Sequence, residues 1–244
     1  MGADESAAVI LNLDLHSHSR FSADGVSEPE EMVATAKARG LHGFAITDHN
    51  TCACVDYFEE KGFLRADGQP VDGFLIVPGQ EITTREGHLL ALGVRLPDTL
   101  KGMPAAEAVD LIHARGGLAI PPHPYDYFRA GIRENVLDAL PIDALEVFNA
   151  ATTFRRCNRQ AFAYAQKRGL PMTAASDSHH VEALGVSYTI LDVETFDVAG
   201  VLQAITRNPA LQQRYLTPKE ALRKTFNNVF RFGSKKRAKK TAEV

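Results

Sequence analysis

Six of the nine histidines in this chain stand where short apolar runs begin or end, and three carboxylates occupy equivalent places. Imidazole and carboxylate groups are ligands of borderline divalent metals, and no cysteine falls among these positions. Histidines placed at random would be spread over helix faces and loops. The nine residues are His16, His18, Asp24, His49, Glu81, His88, His123, Asp177 and His179.

Apolar runs alternate with helix-like segments along the chain. The pattern predicts strands at 9–16, 43–49, 74–84, 88–94, 118–124, 143–150, 172–179 and 186–193, and helices at 27–40, 53–61, 104–114, 154–167 and 197–206. At the first helix, Ser27 and Glu30 have the spacing of a capping box. This alternation is typical of a largely parallel sheet covered by helices. A closed parallel barrel gathers the carboxyl ends of its strands at one mouth, so ligands distant in sequence would share one site.

Local spacing favours a metal site. Residues two apart on an extended strand point to the same face, so His16 and His18 can hold one ion. Asp177 and His179 repeat that arrangement near the far end of the chain. A single histidine at a strand end is more often a hydrogen-bonded structural residue. Two such pairs in one chain, together with the SADG and TDH segments, reverse that preference.

Neighbouring polar residues suit supporting roles. Asp14 and Asp48 should alternate away from the ligands and accept imidazole N–H bonds, with a turn cap as the equal alternative for Asp48. Asn149 is either a polar group of the site or a turn former. The three remaining histidines are predicted to lie in a loop, in the last turn of a helix and at the rim of the site; they are His42, His113 and His180.

Length fits one large α/β domain as well as two small ones, and the composition is that of an ordinary soluble protein. The chain has 244 residues, is 45% hydrophobic and carries a net charge of −3, which argues against bulk attraction to nucleic acid or membrane. No apolar run reaches the length of a membrane span, and the amino terminus does not resemble a secretory signal. Cys52, Cys54 and Cys157 cannot all pair, so we expect a reducing, cytoplasmic protein with Cys52 and Cys54 as packing residues at a helix start. The basic tail at 233–244 is expected to be disordered.

Taken in order, these segments resemble the motifs of the PHP family, the polymerase and histidinol phosphatase superfamily. DLHSHSRFSADG resembles the first motif, FAITDHN the second, PGQEITT with GHLLALG the third, and SDSHH the last. The HPYD and EVFN segments match in position and type. The resemblance covers about residues 11–195. It implies a distorted (β/α)7 TIM-like barrel and makes residues 1–232 one metallo-phosphoesterase domain.

The resemblance also implies how the ligands divide among two to three divalent ions of zinc, manganese or iron. One ion would take His16, His18, Glu81 and Asp177. Glu81 would bridge to a second ion held with His88 and His123, and the third would take Asp24, His49 and His179. All nine positions carry a competent ligand.

The implied activity is hydrolysis of phosphate esters by a hydroxide that bridges the two ions sharing Glu81. Glu81, Asp177 and His179 are the expected catalytic residues. Three divalent ions and three carboxylates would leave a site charge near +3, which favours a phosphate dianion. Arg20, Arg85 and Arg155 flank ligand segments and could add charge, although each is better explained as a solvated surface residue. No residue stands out as the acid that protonates the leaving group.

Three other functions stay open from the sequence. A small phosphorylated substrate is expected, and a 5′–3′ exonuclease acting on short oligonucleotides, held by the basic tail, is the runner-up. The body of the chain shows no basic groove interleaved with aromatic residues. An amidohydrolase usually needs a carboxylated lysine, but Lys101 and Lys167 fall outside the strand ends. A non-catalytic accessory domain is the weakest alternative, because the ligand set is complete.

Overall fold

The computed structural model describes residues 9–218 and 220. Its strands are β1 (Val9–Asp14), β2 (Gly43–Ile46), β3 (Leu75–Thr83), β4 (His88–Leu92), β5 (Leu118–Ile120), β6 (Leu145–Asn149), β7 (Met172–Ala175), β8 (Tyr188–Val193) and β9 (Ala210–Gln212). Its helices are α1 (Pro29–Ala38), α2 (Ala53–Glu60), α3 (Ala105–Ala114), α4 (Glu134–Leu137), α5 (Arg155–Arg168) and α6 (Val198–Ile205), with a 3-10 turn at Tyr127–Arg129.

The strands form a curled seven-stranded sheet in the order β5-β4-β3-β2-β1-β8-β9 and a separate parallel pair, β6-β7. The expectation of a largely parallel sheet is wrong. Strand pairs β1–β8, β3–β4, β4–β5 and β8–β9 are antiparallel, against three parallel pairs. A tight turn can join only antiparallel neighbours, and the turn at 84–87 joins β3 directly to β4.

Hydrogen bonds outside the strand ladders tie the two sheets together. On one side, the Glu146 amide donates to the Pro121 carbonyl at 3.2 Å. On the other side, the Ala174 amide donates to the Thr189 hydroxyl at 3.0 Å, and that hydroxyl donates back to the Ala174 carbonyl at 2.9 Å. The result is a mixed α/β fold with a half-barrel of curled strands. No ladder in the described residues closes it, so the full (β/α)7 barrel stays a prediction.

Alternation along β1 shows why these residues form a strand. Leu11 and Leu13 are buried in an apolar cluster with Val201 and Ile205 of α6. Successive side chains of a strand point to opposite faces, so Asp14 points away from that cluster. At the end of β1, one face therefore carries apolar side chains that pack in the core, and the opposite face carries polar side chains.

Helix starts differ from expectation at α1. The predicted capping box is wrong: α1 begins at Pro29 and its N-cap is Glu28, whose side chain makes no cap hydrogen bond. Proline lacks an amide hydrogen and suits the first helical turn, so it sets the start. At α2, Cys52 and Cys54 are buried and free, in agreement with their interpretation as packing residues.

Some elements escaped sequence analysis because they are too short for a periodic pattern. They are α4, the 3-10 turn and β9, each of three or four residues. Among the described residues, no helix is both long and apolar enough to cross a membrane. The basic segment 233–244 and the domain boundary at 232 fall outside the part of the chain that the structure describes.

Candidate metal centre

The structure brings all nine sequence-predicted site residues to one end of the strands. His16 and His18 follow β1, His49 follows β2, and His123 follows β5. Two isolated parallel β-bridges, Ser17 with Ser178 and His49 with Glu81 of β3, align these segments side by side. The side chains meet at a pocket of about 440 Å³. The strands that carry the candidate ligands therefore end at one common pocket.

The carboxylate of Glu81, on β3, is the centre of the cluster and is only 1% exposed. Five imidazole nitrogens surround it: those of His16 at 3.1 Å, His18 at 3.2 Å, His49 at 3.3 Å, His88 at 2.8 Å and His123 at 3.2 Å. His16, His18 and His49 approach Oε2, whereas His88 and His123 approach Oε1. One carboxylate with a separate histidine set on each oxygen has the arrangement of a bridging ligand.

Two further groups extend the cluster on either side of Glu81. Asp177 Oδ1 lies 3.6 Å from His16 Nε2 and 3.4 Å from His18 Nε2. Asp24 Oδ2 lies 3.0 Å from His179 Nε2 and 3.5 Å from His49 Nε2. The geometry also groups His18 with Asp24, His49 and His179, so His18 lies between two sets that the family resemblance kept apart.

The residues present fit divalent metal ions. Four carboxylates (Asp24, Glu81, Glu146 and Asp177) and one arginine, Arg129, leave the cluster with a formal charge near −3 when its imidazoles are neutral. Burying unpaired charge is costly, and three of these carboxylates are almost completely buried. The Nδ1 atoms of two buried histidines, His18 and His123, also lack a hydrogen-bond partner among the described residues. Nitrogen and oxygen donors without thiolate suit zinc, manganese or iron.

Electrostatics within the cluster keep the carboxylates of Glu81 and Asp177 ionised. Burial by itself would raise the pKa of Glu81, but the surrounding histidines, His16 first, hold it well below its usual range. Burial would likewise raise the pKa of Asp177, yet the Arg129 guanidinium and His16 hold it well below. The pKa of His16 is raised well above its ordinary value, because the nearby carboxylates outweigh the opposing effect of burial. The two carboxylates are therefore available as anionic ligands.

Glu146, which sequence analysis missed, anchors this cluster from β6. Its carboxylate lies 2.9 Å from His16 Nδ1 and accepts hydrogen bonds from the His123 amide at 3.0 Å and from Asn149 Nδ2 at 2.7 Å. A charged residue inside the otherwise apolar LEVF run was the available signal. Asn149 also donates to Asp177 Oδ2 at 3.0 Å and accepts from the Ala151 amide at 2.9 Å, so it is both a polar group of the site and a turn former.

Arg129 is the second missed residue. It lies at the end of the 3-10 turn, lines the pocket and contacts the Asp177 carboxylate. Burial would lower the pKa of Arg129, but Asp177 and Glu81 raise it. The arginines considered from sequence lie elsewhere: Arg20 pairs with Glu28, Arg155 packs over Tyr215, and Arg85 is exposed.

Asp14 and Asp48 accept hydrogen bonds from backbone amides and serine hydroxyls rather than from imidazoles, which corrects the prediction. Asp14 accepts hydrogen bonds from the Ser176 amide at 2.9 Å and the Gly185 amide at 2.8 Å. Asp48 accepts from the amide and the hydroxyl of Ser19, both at 2.6 Å. Ser176 and Ser19 each adjoin a residue of the cluster. The two buried aspartates therefore position the loops that carry the cluster.

The other histidines divide as their sequence positions suggested. His42 Nδ1 accepts the Asn12 amide at 2.9 Å, and His113 Nε2 lies 2.8 Å from an Asp143 oxygen, both away from the pocket. His180 is 5% exposed and lines the pocket. It is the one of the three that belongs to the site.

Two protein-family models match segments that carry or adjoin the candidate ligands. Residues 14–88 match the PHP domain, and residues 155–209 match a PHP-associated family. An uncharacterized protein of Methanocaldococcus jannaschii is 34% identical over 150 residues, which cover 57% of this chain and 82% of that protein. The 5′-3′ exoribonuclease Rnm of Salmonella typhimurium is 33% identical over 125 residues, which cover 48% of this chain but 40% of the nuclease.

Solved structures with this fold include two of larger proteins. A two-domain protein from Bacteroides vulgatus, containing a predicted PHP-like metal-dependent phosphoesterase, superposes with a TM-score of 0.66 at 19% identity, over 88% of this chain and 68% of that one. The lesion-specific endonuclease EndoQ from Pyrococcus furiosus superposes with a TM-score of 0.63 at 17% identity, over 84% of this chain and 57% of that one. At these identities the likeness is one of fold.

Proposed function

This chain belongs to the PHP superfamily, and on that premise we propose that it is a metal-dependent hydrolase of phosphate esters. PHP-family proteins are generally hydrolases of phosphoester bonds. The observation that carries the proposal is the Glu81 carboxylate, surrounded by five imidazoles beside a pocket that Arg129 lines. Phosphomonoesters and small nucleotide phosphates are the favoured substrates.

The nine residues divide into three overlapping ligand sets around this carboxylate. His16, His18 and Asp177 form one set, His88 and His123 share Glu81 with it, and Asp24, His49 and His179 form the outer set. Divalent ions bound there would supply an activated water and would neutralise charge on the phosphoryl oxygens. Glu81, Asp177 and His179 are the side chains we assign to catalysis. Glu81 is shared by two sets, and Asp177 Oδ1 lies 3.4 Å from Nδ1 of His179 in the outer set.

Side chains of the pocket explain a preference for phosphate. Arg129 presents a guanidinium at the pocket wall, and its contact with Asp177 holds that fork in place. A planar guanidinium matches phosphate oxygens in a bidentate manner. The arginine would bind and orient the phosphate. Asn149 donates a hydrogen bond to the Asp177 carboxylate and so keeps it in position. The volume of about 440 Å³ accommodates a small ester.

Hydrolysis of p-nitrophenyl phosphate and of its bis ester, paired with metal analysis, tests this function. We expect turnover of at least one ester that is lost on chelation and returns with added zinc or manganese. Turnover of neither ester by metal-loaded protein, alongside hydrolysis of an amide or lactone, would assign the chain to amidohydrolase chemistry instead. Full metal loading with no hydrolysis of either kind would favour an accessory domain.

A 5′–3′ nuclease acting on short oligonucleotides is the second candidate. The match to the exoribonuclease Rnm supports it, although that match covers less than half of either protein. The experiment compares nucleoside phosphates with 5′-phosphorylated oligomers, with and without residues 233–244, at two salt concentrations. Faster turnover of oligomers that high salt or tail removal abolishes would favour the nuclease, because phosphate contacts weaken with salt.

A further inference from the structure

Three exposed aromatic side chains form a group that reaches the pocket through Phe128, whereas sequence analysis found no basic groove interleaved with aromatic residues. Tyr127 and Phe128 are each 74% exposed and Phe154 is 45% exposed. The centroids of the Phe128 and Phe154 rings lie 6.0 Å apart, and those of Tyr127 and Phe128 lie 6.5 Å apart. We call these three side chains the aromatic platform. Phe128 lines the same pocket as the metal-ligand cluster.

The platform is fixed to the site by a buried carboxylate. Asp126, which is fully buried, accepts hydrogen bonds from the Phe128 amide at 3.2 Å and the Thr153 amide at 2.6 Å. It therefore joins the turn that carries Phe128 to the loop that carries Phe154. Large aromatic rings that stay exposed on a segment fixed by such hydrogen bonds are typical of a surface that binds a ligand or a partner.

The same turn is attached directly to the candidate ligands. His123 begins the segment, and the His88 amide donates to the Ala130 carbonyl at 2.8 Å at its end. Between them, Arg129 contacts Asp177. One short turn thus connects the rings to three residues of the cluster: His123 through the chain, His88 through its backbone amide, and Asp177 through Arg129. A molecule whose phosphate lies at the cluster would have its next group beside Phe128.

Two arginine guanidinium groups lie over rings of the platform. The guanidinium carbon of Arg133 lies 4.3 Å from the centroid of Tyr127, and that of Arg156 lies 4.9 Å from the centroid of Phe154. Among the described residues, Phe128 is the platform ring with no arginine over its face. An uncovered ring with arginines nearby suits the planar aromatic group of a ligand that carries negative charge elsewhere.

We propose that the aromatic platform is a stacking subsite for the nucleobase of a nucleotide whose phosphate is bound at the metal centre. This inference rests on the proposed function and names its substrate class. Phe128 provides the main stacking face, Phe154 packs beside it, and Arg133 and Arg156 attract the anionic ligand. Stacking accepts every base because every base has a π-face, so the subsite selects nucleotides over sugar phosphates without reading sequence.

A matched pair of substrates tests the subsite, because adenosine 5′-phosphate and ribose 5-phosphate differ only in the base. The readout is the ratio of their kcat/KM values in wild type, Phe128→Ala, Phe128→Trp and Phe162→Ala. Phe162 is a control: it is a 38% exposed aromatic residue of α5 that lines a different cavity. We expect Phe128→Ala to reduce the ratio at least about fivefold, the lower range for loss of a base-stacking ring. Phe128→Trp and Phe162→Ala should keep it.

Binding provides a readout that does not need hydrolysis. Stacking quenches the fluorescence of 2-aminopurine riboside 5′-phosphate, so wild type and Phe162→Ala should quench it and Phe128→Ala should not. If no ester is hydrolysed but quenching still depends on Phe128, the phosphoesterase proposal fails and the subsite stands. If both sugar and nucleotide esters are hydrolysed with a ratio and a quenching that Phe128→Ala leaves unchanged, the subsite is overturned and the phosphoesterase stands. A dimer that Phe128→Ala dissociates, with no quenching in wild type, would assign the platform to a second copy of the chain and overturn the proposal.

Discussion

Glu146 Oε2 lies 2.9 Å from Nδ1 of His16, although 130 residues separate the two in sequence. The other ring nitrogen of His16, Nε2, faces Glu81 at 3.1 Å. With the Nδ1 hydrogen donated to Glu146, the Nε2 lone pair is directed into the ligand cluster. A carboxylate on the far nitrogen fixes the tautomer and orientation of a metal-binding histidine and raises its basicity.

Glu146→Gln should therefore weaken metal affinity or activity by about 10- to 100-fold, the usual effect of losing such a partner. Metal affinity is measured by competition with a chromophoric chelator. Asp143→Asn is the matched control, because Asp143 also pairs with a histidine, His113, but away from the pocket. Equal effects of the two substitutions would show that Glu146 has no special role.

Glu81→Ala should be more damaging than His88→Ala or Asp24→Ala. Its two oxygens face different histidine sets, so its loss disturbs both, whereas His88 and Asp24 each belong to one. We expect kcat/KM to fall by more than about 100-fold, which is the largest effect expected for Glu146→Gln. We also expect Glu81→Ala to lose more than one ion per chain. Retention of activity near that of wild type in Glu81→Ala would refute the bridging assignment.

Arg129→Ala should reduce kcat by about 10²- to 10³-fold, as removal of one positioned donor to a transition state does. Arg129→Lys should recover part of that loss, because it keeps the charge but not the planar fork. Arg20→Ala is the control, since Arg20 pairs with Glu28 outside the pocket. An Arg129→Ala enzyme with unchanged kcat would remove this residue from the mechanism.

Stability should depend on pH through Asp14. Burial raises the pKa of Asp14 to about 6 from an ordinary 3.8, in spite of hydrogen bonds from Ser176 and Gly185. The folded protein therefore keeps this proton where the unfolded chain has lost it. The stabilising contribution is complete below about pH 4 and is lost as the pH rises through about 6, which amounts to roughly 3 kcal/mol.

Asp14→Asn cannot ionise and should lack that dependence. Compared with wild type, its free energy of unfolding should improve by up to about 3 kcal/mol between about pH 4 and pH 7. Denaturant unfolding of both proteins in the presence of a chelator measures the difference, because ions bound at His16 would alter the titration. A difference between variant and wild type that is constant with pH would contradict the assignment.

The sequence predicted the strands and the side chains they carry better than how the strands pair. His16, His18 and Asp177 could be found because charged or imidazole groups at the ends of apolar runs stand out. Glu146 could not be told from a solvated residue without knowing that both faces of β6 are buried. Arg129 was missed because its role depends on a three-residue turn with no periodicity. The antiparallel pairing of β1 with β8 depends on contacts between distant segments, which local patterns do not encode.

The central claim is that this chain binds divalent ions and uses them to hydrolyse phosphate esters. Metal analysis of the purified protein by mass spectrometry, run beside a phosphate ester assay before and after chelation, tests it most directly. We predict two to three ions of zinc, manganese or iron per chain and hydrolysis that disappears and returns with the metal. Protein that binds no transition metal at micromolar concentration, or that hydrolyses phosphate esters equally well without one, would contradict the account.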